Sequence, residues 1–250
     1  MEVEFGLLGR RLAHSFSRKH FTQKFADLGL AGYHYLNFEL ERIEQLPALL
    51  ASRPRLRGFN VTIPYKRSVR DYLDSLDPEA AAIGAVNTVV PAGGGWRGYN
   101  TDIVGFAQTL DGLDLDAASA EPALVLGTGG ASDAVGHVLR RREFAVQLVS
   151  RTEGERQITY AELDRTDWAA PRLIVNTTPV GTWPDTESAP AVPLDRLGPQ
   201  HAVIDLIYNP PETYLLRAAR LAGAQTANGA TMLLGQAEAA WSLWQAAGSR

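Results

Sequence analysis

Four apolar residues, Ala123-Leu124-Val125-Leu126, run straight into Gly127-Thr128-Gly129-Gly130-Ala131-Ser132. An apolar helical pattern then continues through Val138 and Leu139 to about residue 142. A short, fully apolar run bounded by glycine reads as a buried strand. Strand, Gly-x-Gly turn and helix in immediate succession constrain the fold to an open α/β sheet. The small residues let the backbone approach a pyrophosphate closely, and the helix start stabilises its charge. Ser132 stands where a third glycine is usual, and it is still small.

The next strand, over residues 145–149, ends in Ser150-Arg151-Thr152. An acidic residue here would accept from the ribose 2′-hydroxyl of NAD. Two hydroxyls and a guanidinium suit a 2′-phosphate instead, so the expected cofactor is NADP(H). Downstream, residues 173–175 form a strand that ends in Asn176-Thr177-Thr178, a polar loop on the ligand side of the sheet. Residues 202–208 form another strand, and helices follow over residues 212–222 and 230–246. On the last helix Met232 and Gln236 are one turn apart and share a face.

The first half repeats the α/β alternation. Strands are expected over residues 3–8, 33–40 and 59–63, with helices over residues 18–28 and 43–52 between them. Further strands fall at residues 85–90 and 96–99, and a helix at residues 103–110. Residues 111–122 are polar and read as a connection. In Phe59-Asn60-Val61-Thr62-Ile63-Pro64-Tyr65-Lys66 one strand face is apolar and the other carries Asn60 and Thr62. Lys66 then opens a helix expected over residues 66–73. Lys66, Arg67 and Arg70 at its start and Asp71 and Asp74 at its end oppose the helix dipole. Local rules broken together mark a candidate site. Only three of the 24 basic side chains are lysine, so Lys66 is a rare tunable base in an arginine-rich chain.

Other candidates carry two readings each. Ser15 and Ser17 can donate to a carboxylate at a strand-to-helix junction, or Ser15 turns the chain and Ser17 caps the helix. Asp102 stabilises a helix start, or orients a lysine or a substrate hydroxyl. Composition narrows the chemistry. A net charge of −4 and a pI near 5.8 give no electrostatic footprint for nucleic acid. With no cysteine, disulfides, thiolate metal sites and a cysteine nucleophile are excluded. The five histidines lack metal-ligand spacing, so no metal is expected. No signal peptide or membrane-spanning run is legible.

Taken in order along essentially the whole chain, these segments resemble the shikimate dehydrogenase family. Ser15 and Ser17 match its paired serines, and Asn60, Thr62 and Lys66 its Asn-Val-Thr-x-Pro-x-Lys block. Asn87 matches Val-Asn-Thr, and Asp102 matches Asn-Thr-Asp. Residues 127–132 resemble its pyrophosphate loop, and Ser150-Arg151-Thr152 its NADP-selective segment. Tyr208, Gly229 and Gln236 also fall on family positions. The chain departs from the pattern at Arg18, commonly proline, at Phe21, commonly asparagine, and at Thr182, often methionine. Arg156 sits one residue off the family spacing.

The resemblance implies an α/β fold of two domains with a ligand cleft between them. Residues 1–101 plus 228–250 would form the substrate-binding domain, to which the last helix returns. Residues 102–227 would form a Rossmann-like NADP domain. The implied reaction is NADP-dependent reduction of 3-dehydroshikimate to shikimate, with Lys66 and Asp102 catalytic. Ser15, Ser17, Asn60, Thr62, Asn87, Tyr208 and Gln236 would hold substrate. Residues 127–132, Ser150, Arg151, Thr152, Thr177, Leu206 and Gly229 would hold the cofactor. The implied partner is a small molecule, with neither nucleic acid nor membrane, in a cytoplasmic protein for which a homodimer is left open. The alternatives are a quinate or aminoshikimate dehydrogenase and a non-catalytic metabolite sensor of the same fold.

Overall fold

The computed structural model describes residues 2–12, 15–115, 122–163, 165 and 172–248. Part of the connection expected at residues 111–122 lies outside them. The chain divides into two units, Met1–Thr101 with Ala237–Arg250, and Asp102–Gln236.

The first unit contains β1 (Val3–Gly9), α1 (Phe16–Asp27), β2 (Tyr33–Glu39), α2 (Leu46–Ala51), β3 (Leu56–Val61), β4 (Ser75–Leu76), α3 (Pro78–Ile83), β5 (Thr88–Ala92) and β6 (Gly95–Tyr99). Its sheet has the order β2-β1-β3-β5-β6-β4, with β2, β1 and β3 parallel and β5 antiparallel to β3. Strand alternation sends Phe5 and Leu7 to one face, against Phe21 and Phe25 of α1. Trp241 and Trp244 of the terminal helix cover the same face. Leu8, Phe59 and Val61 face the other core, with Leu46 and Val69. Gly58 has φ +154°, and a Cβ there would lie 2.2 Å from the Trp244 indole nitrogen, so only glycine admits that ring.

Two local expectations are corrected here. Residues 66–73 do not form an α-helix; a single 3-10 turn covers Ser68–Tyr72. Tertiary bonds override the helical pattern, because the Lys66 carbonyl accepts from the Val86 N–H at 2.7 Å. The buried Tyr65 also donates to the Leu40 carbonyl at 2.5 Å. The apparent conflict between Lys66 and a helix dipole therefore disappears. At α1, the capping residue is Ser15 rather than Ser17. Ser15 is extended and accepts from the Arg18 N–H at 3.2 Å, which leaves Ser17 buried inside the first turn.

The second unit contains α4 (Asp102–Asp111), β7 (Pro122–Leu126), α5 (Gly130–Arg141), β8 (Ala145–Ser150), β9 (Gln157–Thr159), α6 (Tyr160–Leu163), β10 (Leu173–Asn176), β11 (Ala202–Asp205), α7 (Tyr214–Leu221) and β12 (Gln225–Asn228). α8 (Ala230–Gly248) begins in this unit, and the division between units falls within it. The sheet is wholly parallel, in the order β12-β11-β10-β7-β8-β9. Parallel strands need cover on both faces. Leu215, Leu216 and Ala219 of α7 supply one side; Phe106, Val135, Leu139 and Met232 supply the other. The expected strand over residues 202–208 stops at Asp205. β9 and β12, both at sheet edges, carry polar sequences with no strand signal of their own. Among the described residues no helix is long and apolar enough to cross a membrane.

Candidate active site

In the first unit a row of buried polar side chains crosses the sheet. Asn60 on β3 donates from Nδ2 to the Asn87 carbonyl and to Thr88 Oγ1, at 3.2 and 3.0 Å. Its Oδ1 accepts from the Tyr35 hydroxyl at 2.8 Å. Asn87 Oδ1 accepts from the Thr101 N–H at 2.7 Å and from the Thr88 hydroxyl at 3.0 Å. An unpaired polar group here would lose a full desolvation penalty, so this mutual pairing is what makes the row stable. It joins Tyr35, Asn60, Thr88 and Asn87. Asn100 extends the order by donating to the Ala85 carbonyl at 2.9 Å.

Thr62 and Lys66 lie just past the end of β3. The Thr62 N–H donates to Leu8 O at 2.9 Å, and its own carbonyl accepts from the Tyr65 N–H at 2.9 Å. Tyr65 is the anchor of this turn; Lys66 follows it and is half-buried. Asp102, in the first turn of α4, is buried at 4 % exposure, next in sequence to Thr101.

In the second unit the strand order reverses between β7 and β10, the crevice where open α/β sheets bind ligands. Gly127 follows β7 with φ +110°, and a Cβ there would lie 2.7 Å from Thr177 Oγ1. Thr177 follows β10 and donates to the Leu126 carbonyl at 2.7 Å. α5 starts after Gly129, an N-cap that supplies no side-chain hydrogen bond. Ser132 turns its hydroxyl onto the Gly129 carbonyl at 2.6 Å. Thr128 and Ala131 complete the turn. At the end of β8 the Thr152 N–H donates to Ser150 Oγ at 3.3 Å, and Arg151 between them is exposed. Arg156 is exposed in the loop before β9.

Gly229 packs on the backbone of Leu206; a Cβ would lie 2.0 Å from the Leu206 carbonyl oxygen. Tyr208 is 40 % exposed in the segment beyond β11. Thr182 donates to the Asn209 carbonyl at 3.2 Å, which ties its loop to that same segment. Gln236, on α8, donates to the Leu233 carbonyl at 2.9 Å. α4 meets this part of α8 closely, since a Cβ on Gly105 would lie 2.2 Å from the Met232 carbonyl oxygen.

Asp205 is a residue that the motifs miss. Its signal in the sequence is a lone carboxylate in an otherwise apolar run. It is fully buried and accepts from Thr213 Oγ1 at 2.7 Å, Asn176 Nδ2 at 3.0 Å and the Ile207 N–H at 3.1 Å. It thereby ties the loop after β10 and the segment after β11 to the start of α7. Burial pushes its pKa up from an ordinary 3.8 to about 6, against the lowering effect of those donors. The folded state therefore holds this proton more tightly than the unfolded chain. The resulting stability is complete below the unfolded pKa and is lost as pH rises through about 6, a change of about 3 kcal/mol. Urea titrations of the parent and of Asp205→Asn are expected to diverge between acid and neutral pH, the parent losing stability relative to the variant. A difference between them that is flat with pH would rule this out.

A strand, glycine turn and helix at the switch of one parallel sheet, with a buried polar row on a second sheet whose β3 leads towards Lys66, fit a class: the two-domain α/β oxidoreductases. Residues 7–89 match the family described as the shikimate dehydrogenase substrate binding domain. The NADP(+)-dependent shikimate dehydrogenase of Halothermothrix orenii is 39 % identical, over 96 % of this chain and 89 % of its own. Shikimate dehydrogenase 1 of Peptoclostridium difficile superposes with a TM-score of 0.85 at 35 % identity, covering 98 % of this chain and 92 % of that one. The Thermus thermophilus shikimate 5-dehydrogenase, solved with NADP(H) and shikimate, gives 0.83 at 34 % identity, covering 98 % and 94 %. The chain belongs to the shikimate dehydrogenase family.

Proposed function

We propose that this protein catalyses the reversible, NADP-dependent reduction of 3-dehydroshikimate to shikimate. The observation that carries the reading is the buried polar row through Tyr35, Asn60 and Asn87, on the sheet whose strand β3 leads towards Lys66. Relatives of this chain are NADP(+)-dependent shikimate dehydrogenases over nearly their full length. Residues 1–101 with 228–250 serve the substrate and residues 102–227 the cofactor.

The cofactor-side residues fit a dinucleotide. Gly127 leaves open the space a Cβ would fill, and Gly129 at the start of α5 supplies no side-chain cap. In this assignment residues 127–132 receive the pyrophosphate, and Ser150, Arg151 and Thr152 the 2′-phosphate. Thr177, Leu206 and Gly229 line the remainder. The bound cofactor supplies the hydride. Lys66 donates a proton to the oxygen that changes from ketone to alcohol, and takes it back in the reverse direction. Asp102 orients Lys66 and a substrate hydroxyl. Ser15 and Ser17 hold the carboxylate. Asn60, Thr62, Asn87 and Gln236 hold hydroxyls, and Tyr208 closes the substrate side. A cytoplasmic location and a homodimer accompany this reading, and light scattering of purified protein checks the dimer.

The test is absorbance at the NADPH band with purified protein, shikimate and NADP, repeated with NAD and with quinate. Reduction confined to shikimate with NADP is expected. Reduction confined to quinate, or to NAD, would move the protein to the sister activity. Folded protein that binds NADP but reduces it with neither acid would be a sensor.

A further inference from the structure

β10 and β11 end side by side at Asn176 and Asp205, which are partners in register and both fully buried. The Leu206 N–H still donates to the Asn176 carbonyl at 3.0 Å. Beyond that bond, side chains take over from the ladder. Asn176 Oδ1 accepts from the Thr178 N–H at 3.0 Å, two residues on. Asp205 Oδ1 accepts from the Ile207 N–H at 3.1 Å, again two residues on. These are twin Asx turns on neighbouring strands. One bond joins them, from Asn176 Nδ2 to Asp205 Oδ1 at 3.0 Å. The residue enclosed by the first turn is Thr177 and by the second Leu206, both assigned above to the cofactor. Gly229 sits against the second turn, since its N–H donates to the Ile207 carbonyl at 3.0 Å.

Counting protons fixes the direction of each bond. The Thr178 N–H can only donate, so Asn176 turns its Oδ1 there and its Nδ2 to Asp205. Thr213 Oγ1 caps α7 by accepting from the Leu216 N–H at 3.3 Å, and gives its own proton to Asp205 Oδ2 at 2.7 Å. Asn176, Ile207 and Thr213 therefore all donate to Asp205, which must accept on both oxygens, as a carboxylate does.

We propose that Asp205 is a positioning residue for the cofactor: its bond to Asn176 joins the two turns and holds Thr177, Leu206 and Gly229 in one fixed arrangement. Thr177 is pinned from its other side by its hydroxyl on the Leu126 carbonyl. Contacts ordered before the ligand arrives need not be ordered at its expense, so the link acts on affinity. It serves the part of the dinucleotide that NADP(H) and NAD(H) share, whereas Arg151 reads the part that differs. This inference rests on the assignment of Thr177, Leu206 and Gly229 to the cofactor.

The experiment is equilibrium binding of NADPH and of NADH, read by their own fluorescence at pH 8, where Asp205 is ionised. Asp205→Ala should raise Kd for both by the same factor, about tenfold, the scale of a buried hydrogen bond. Asp205→Asn keeps an oxygen for Asn176 and Ile207, so both Kd values should stay within about twofold of the parent's. Asn176→Ala breaks the same link and should match Asp205→Ala. The two changes together should cost no more than the larger single loss. Thr213→Val removes the α7 cap and the third donor but spares the link, so its Tm should fall while both Kd values stay within about twofold. Kd values that rise in step with the fall in Tm across all these variants, Thr213→Val included, would make Asp205 a structural residue only. Folded Asp205→Ala protein that binds both dinucleotides as the parent does would also overturn the inference, and would leave the proposed function standing. If Asp205→Ala does not fold, Asn176→Ala, which leaves Asp205 two of its donors, carries the test with the same expectation. Parent protein that binds neither dinucleotide would overturn the inference and the proposed function together.

Discussion

Lys66→Ala is expected to lower kcat by about 10²–10⁴-fold, the usual worth of a positioned proton donor, and to leave KM within about threefold. The reason is the timing of the contact. The ketone oxygen needs its proton as negative charge develops on it, so the ammonium stabilises the transition state more than the bound ground state. The variant should fold. Its turn is held by the Tyr65 hydroxyl on Leu40 O and by the Val86 N–H on the Lys66 carbonyl, and both survive loss of the side chain. Lys66→Arg separates proton transfer from charge. Arginine keeps the positive charge but does not release a proton near neutral pH, so it should leave KM near the parent's without restoring kcat. A Lys66→Ala enzyme in which only KM rises would make Lys66 a binding residue. An active Lys66→Arg enzyme would make it a purely electrostatic one.

Arg151→Ala is expected to raise KM for NADP by about 10- to 150-fold, the range for a hydrogen bond to a charged group, with KM for NAD nearly unchanged. The guanidinium is exposed at the end of β8, and the Ser150–Thr152 hydrogen bond shapes the turn that presents it. Only the 2′-phosphate distinguishes the two cofactors, so a group that reads it must act on one and spare the other. An exposed contact is also screened, so the parent's KM for NADP should climb with salt more steeply than the variant's. Steady-state kinetics with both cofactors at two ionic strengths decide the matter. Equal losses with NADP and NAD would mean that Arg151 shapes the turn rather than reads the phosphate.

Much of this architecture follows from local pattern. The apolar run into Gly127, the hydroxyl–arginine–hydroxyl end of β8, and Lys66 beyond an alternating strand are each written within a few adjacent residues. Strand period, helix period and the conformational freedom of glycine act at that range, so a reader of the chain alone meets the same constraints as the folded backbone. The alternation of strands and helices likewise settles an open α/β fold, because parallel strands require crossovers.

Other features exist only once distant strands are neighbours. Residues 66–73 carry a helical pattern, but the Val86 N–H, in the segment leading into β5, claims the Lys66 carbonyl. Ser15, not Ser17, caps α1, which leaves Ser17 buried in the first turn. Tyr35 meets Asn60 across β1, which lies between β2 and β3, and no spacing along the chain encodes that order. Gly229 is required by the Leu206 carbonyl, which lies 23 positions earlier in sequence and in contact in space. Asp205 is held above the usual carboxylate range because the fold buries it, against the donors that three segments bring to it. By itself, then, the sequence determined most of the elements, the glycine turn after β7 and the positions of its candidate base and phosphate reader. The tertiary structure alone decided which polar groups are buried together, because hydrogen-bond pairing and desolvation depend on neighbours in space rather than on neighbours in the chain.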